Sequence, residues 1–68
     1  MSVARITEIK ASSTKSFDDA MNEGIKRAAK TLEGITGAWV ASQEVVLNGK
    51  GKITEYRVLL KVTFILKD

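Results

Sequence analysis

The chain has 68 residues with no cysteine, no histidine and no proline, and its eleven basic and eight acidic side chains leave a net charge of +3. That composition excludes disulfides, removes the usual ligands of zinc and copper, and supplies neither the common acid–base group near neutral pH nor a thiol nucleophile. So short a chain forms a single domain, residues 1–68, whose core alone rarely supplies more than a few kcal/mol, which leaves oligomerisation as the remaining support.

The first strand is expected over Val3 to Ala11. Ile6 and Ile9 fall on opposite faces there, so either both faces are partly buried or a bulge shifts the register. A polar connection, Ala11 to Lys15, leads to Ser16 as the N-cap of a helix, with Asp18 and Asp19 in its first turn where carboxylates suit the positive end of the dipole. Asp19 occupies the position of a capping-box partner. Phe17, Ala20, Met21, Gly24, Ile25, Ala28 and Leu32 recur at three- and four-residue spacing as one apolar stripe. A glycine in a helix interior costs about 1 kcal/mol relative to alanine, so Gly24 on that stripe points to a close approach between helix and sheet. Gly34 is read as the C-cap.

A second strand follows over Ala38 to Leu47, and Asn48-Gly49-Lys50-Gly51 reads as a hairpin turn into a third strand, Ile53 to Lys67. Tyr56, Val58, Leu60, Val62, Phe64 and Leu66 alternate onto one apolar face of that strand, while Glu55, Arg57, Leu59, Lys61, Thr63 and Ile65 make a mixed face. At this length it would span about 50 Å, more than so small a chain can cover by itself. The expected architecture is α+β, in the order β-α-β-β: a three-stranded antiparallel sheet with one helix across one face. The other face, with Leu59, Ile65 and arguably Trp39, is left bare, which is the physical reason to expect partners.

Few residues offer chemistry. No serine or lysine lies in a recognisable nucleophile motif, so no enzyme is read here. Glu8, Glu44 and Glu55 sit on separate strands, as a distant carboxylate pair or as ordinary solvated or ion-paired groups. The glycine-rich turn lacks the following helix of a phosphate loop. Trp39 has two readings, a core filler or a stacking platform for a planar ligand, and the helix stripe and third strand already fill a core without it. Arg57 is either a cation paired with Glu44 or Glu55 or a ligand contact. The charges are too few and too interleaved for a nucleic-acid footprint. No segment approaches the ~20 apolar residues that span a bilayer, and the lack of cysteine is compatible with a reducing cytosol, so a cytoplasmic protein is expected.

The strand–helix–strand–strand order, Ser16-Phe17 leading a helix with Ile25-Lys26-Arg27-Ala28, the tryptophan opening the second strand, and Glu55-Tyr56-Arg57-Val58 running to Val62-Thr63-Phe64 resemble the dodecins over nearly the whole chain. The resemblance implies a hollow homododecamer whose subunits each wrap a sheet partly around a helix. It further implies a non-covalent flavin, FMN or riboflavin, stacked in pairs between the tryptophans of two subunits, with Trp39 as platform and Arg57 and Glu44 as polar contacts. The implied role is storage, buffering and photoprotection. In two places the chain departs from the family pattern. Arg57, a donor-only group, stands where many bacterial dodecins have glutamine, and Ile65 stands where relatives often carry an arginine suited to a phosphate. Some relatives also hold a coenzyme A-like molecule, and the resemblance leaves that second ligand open. The alternative from another class is a structural or ion-storage cage of the same fold, with Trp39 packed in a subunit contact.

Overall fold

In the computed structural model, which describes residues 3–66, the elements are β1 (Ala4–Ser13), α1 (Phe17–Thr31), β2 (Ile35–Leu47) and β3 (Ile53–Ile65). Ser16 sets the start of the helix. Its backbone is extended and its hydroxyl accepts a hydrogen bond from the Asp19 N–H at 3.0 Å, satisfying one of the donors that a helix start leaves open. Asp19 does not close a capping box. Its carboxylate accepts from the Ser13 hydroxyl at 2.6 Å, tying the helix start to the end of β1. The helix stops at Leu32, not at Gly34, with the Leu32 N–H donating to the Ala28 carbonyl at 2.9 Å. Gly34 serves the turn beyond. Its φ is +75°, a conformation that side chains resist, and its carbonyl accepts from the Ile65 N–H at 3.0 Å.

The sheet order is β1-β3-β2, antiparallel throughout. β1 pairs with β3 without interruption from Ala4 opposite Ile65 to Ser13 opposite Tyr56, so it runs two residues past the expected end at Ala11. No bulge reconciles Ile6 with Ile9: the two use opposite faces, Ile9 toward the helix and Ile6 outward and exposed. The irregularities are in β2, whose register shifts between Ile35 and Gly37, Val40 and Ser42, and Val46 and Leu47. β2 also starts at Ile35 rather than Ala38, because the Gly34 turn already delivers the chain to β3. Trp39 is therefore inside the strand and does not open it. The expected continuation of β3 to Lys67 lies outside the described residues.

One face of β3 carries the core. Val58, Leu60 and Val62 are buried against Ala20 of the helix, with Ile9, Ala11, Phe17, Met21, Ile25 and Ile35 packed around them. Tyr56 and Phe64, expected in the same row, are half-buried, and the Tyr56 ring meets Phe17 edge-to-face at 5.1 Å between centroids. The close approach at Gly24 is present: a Cβ there would lie 2.9 Å from the Ala11 Cβ and 3.1 Å from a Leu60 methyl. Only a glycine lets the helix settle this near to β1.

The chain measures 52 × 19 × 14 Å with a radius of gyration of 14.1 Å, against about 11 Å for a compact chain of this length. The helix covers β1 and β3 and hardly reaches β2, which is exposed at every residue but Ile35 and Val46. No helix among the described residues is long and apolar enough to cross a membrane.

Candidate functional site

The register sorts side chains onto the uncovered face in rows running across the three strands. One row holds Trp39, Lys61 and Glu8, from β2, β3 and β1 in turn. The next holds Ser42, Leu59 and Lys10, and the third Glu44, Arg57 and Ser12. Thus Trp39, Arg57 and Glu44 share the face that the helix leaves open. Trp39 is 47% exposed, a large share for an indole in a chain with so small a core.

Within one chain these three do not converge. Glu44 and Arg57 are direct cross-strand neighbours, but four residues of β3 separate Lys61, opposite Trp39, from Arg57, about 13 Å along the strand. A ligand gripped by Trp39 and by the Arg57 row of the same chain would have to bridge that span.

Of the two partners considered for Arg57, the structure has Glu55 and not Glu44. Glu44 reaches over the central strand to Lys10, Nζ to Oε1 at 2.9 Å, while Arg57 turns to Glu55 with Nη2 to Oε2 at 3.5 Å. Nor do Glu8, Glu44 and Glu55 gather into a carboxylate pair, since each faces a different row or partner. The hydrogen bond from Lys10, reinforced by its charge and by that of Arg57, holds the Glu44 carboxyl below the usual glutamate value. A carboxyl lowered in this way stabilises the folded state above the unfolded-state value and stops doing so as pH falls through the folded one. Glu44→Gln should therefore lower Tm slightly at neutral pH, and the gap to the native protein should close on acidification below 4.5. Both partners are more than half exposed, so the gap should also shrink in high salt. A gap that widened in acid would contradict the ion pair.

A concavity lies elsewhere. A groove of about 420 Å³ runs along β1 on the helix side, lined by Ile9, Ala11, Glu23, Gly24, Arg27 and Ala28 among others, and contains none of Trp39, Arg57 or Glu44. The candidate site is thus a platform in a single chain, and only a second surface laid on it would enclose a ligand. Among the described residues no group of three or more acidic, histidine or cysteine side chains is placed to hold a metal ion. Sequence reasoning passed over Lys61 and Lys10. Lys61 stood on the mixed face of the third strand and Lys10 within the first, but only the structure shows that Lys61 adjoins Trp39 and that Lys10 reaches Glu44.

Comparison with known proteins agrees with the architecture. The Dodecin family model matches residues 3–67. The calcium dodecin of Mycobacterium tuberculosis is 36% identical over 64 residues, covering 94% of this chain and 89% of that protein. The structure of dodecin from Streptomyces davaonensis superposes with a TM-score of 0.91 at 33% identity, covering 98% of this chain and 97% of the other. A calcium dodecin structure from M. tuberculosis, described as having a calcium-binding site, gives a TM-score of 0.82 at 31% identity over 96% of this chain and 91% of its own. On fold, element order and sequence together, the chain belongs to the dodecin family.

Proposed function

We propose that this dodecin is a flavin-binding storage and buffering protein rather than an enzyme, assembled in the cytoplasm as a hollow homododecamer with residues 1–68 as its repeating domain. FMN or riboflavin stacks in pairs between the Trp39 indoles of neighbouring subunits, with Arg57 and Glu44 as polar contacts. The observation that carries this reading is the half-exposed indole on a sheet face that its own chain does not cover. Trp39 and the Arg57 row are about 13 Å apart in one chain, and a second copy laid on this face would bring further polar groups to a ring stacked on Trp39. A flavin against an electron-rich indole returns from its excited state by rapid electron transfer, which suppresses photochemistry and suits a protective role. Stacking of a flat ring contributes about 1–3 kcal/mol by analogy with nucleobases.

A second reading, an ion-storage cage without flavin, is favoured by one observation: a relative at 36% identity is named a calcium dodecin. Calcium takes six to eight oxygen ligands, and no suitable group exists within the described part of one chain. An ion would have to be held by carboxylates from several copies.

Mixing the assembled protein with FMN or riboflavin separates the two. Strong quenching of flavin emission is expected, in particles of the size of twelve chains. Unchanged emission at micromolar protein, together with a Tm raised by calcium, would instead establish the cage.

A further inference from the structure

We infer that Lys61 is the phosphate-recognising residue of the Trp39 site, so that the flavin held there is the mononucleotide in preference to riboflavin; this rests on the flavin reading above. The row across the open face places Lys61 of the central strand between Trp39 on one side and Glu8 on the other. Directly opposed side chains on one face of a sheet have Cβ atoms about 4.5–5.5 Å apart. Lys61 is therefore the cation nearest the indole among the described residues.

Among the described residues its ammonium also has no ion-pair partner. Lys61 faces Glu8 across the ladder, yet no ion pair joins them. The remaining charges on this face are engaged or remote: Lys10 and Glu44 pair at 2.9 Å, and Arg57 pairs with Glu55 at 3.5 Å in a row about 13 Å away. Glu8 opposes the effect from farther away. It lies two strand spacings from Trp39, about 10 Å, where Lys61 lies one, about 5 Å. Coulomb energy falls inversely with distance, so the lysine's influence at the indole is about twice that of the glutamate.

A neutral isoalloxazine ring gains little from this arrangement, whereas a phosphate gains charge-assisted hydrogen bonds. The lysine stem is half-buried on the strand, and its flexible end can follow a phosphate held on a ribityl tail beside the ring. Ile65, four residues along the same face, offers only hydrocarbon.

The test compares dissociation constants for FMN and riboflavin, by fluorescence quenching, in the native assembly and in Lys61→Met. The native protein is expected to prefer FMN by about tenfold at low salt, as one charge-assisted contact implies. The preference should vanish in Lys61→Met, persist in Lys61→Arg and fall as salt screens it. Riboflavin should bind all three proteins alike. If Lys61→Met fails to assemble, Lys61→Gln and the salt titration of the native protein give the same reading. Equal native affinities, or a preference surviving loss of the charge, overturn the inference and leave stacking on Trp39 intact. Failure of both flavins to bind the native protein overturns the stacking and this inference together.

Discussion

Trp39→Ala is expected to weaken flavin binding roughly 5- to 150-fold, the equivalent of one lost ring stack, while leaving the assembled particle intact. The reason is the position of the side chain. The indole belongs to no part of the buried cluster, being 47% exposed on an outer strand. Its removal takes away contact area for a ligand and little of the support of the subunit. A flavin titration followed by emission, with sedimentation of the same sample, reads both quantities. Unaltered affinity would mean that the flavin lies elsewhere. A particle that falls apart would place the indole in a subunit contact, as the cage reading requires.

Leu60→Ala is expected to have the larger effect on stability, about 2–5 kcal/mol. Leu60 is 1% exposed in the central strand, opposite Ile9 on one side and Val40 on the other, with its methyl near Gly24 of the helix. The cavity left behind cannot close easily, because the strand is held by ladders on both edges. A core of this size supplies only a few kcal/mol, so the variant should unfold at much lower urea concentration or exist only as assembled particles. Leu59→Ala removes the same number of atoms one residue away, on the open face, and should cost the separate chain far less. Similar urea midpoints for the two variants would show that the faces have been assigned wrongly.

Most of the fold was legible because β3 alternates so cleanly. Val58, Leu60 and Val62 follow from period two alone, and the helix stripe with Gly24 supplies the surface they meet. Gly24 was readable as a close approach because it is a costly residue placed on an apolar stripe. What escaped was set by tertiary contact rather than by local pattern. The start of β2 was placed three residues late, since Gly34 and Gly37 look like breaks until Gly34 is seen bonding to Ile65. The helix end was read at the glycine, although Leu32 already caps it. In the candidate site, the residue types were visible but not their distances. Lys10 as the partner of Glu44, and Lys61 as the neighbour of Trp39, depend on a register that includes a shift between Val40 and Ser42. A one-residue irregularity of that kind leaves no mark in composition or periodicity.

The strand in the middle of the sheet is made after both strands that it joins, with Ala4 waiting for Ile65 and Ile35 for Phe64. During synthesis, β1 and β2 therefore emerge before the strand whose ladders they share, and their pairings close over long stretches of chain. Closure of the sheet in each copy waits for β3. Loss of the final few residues of β3 would free the starts of both outer strands at once.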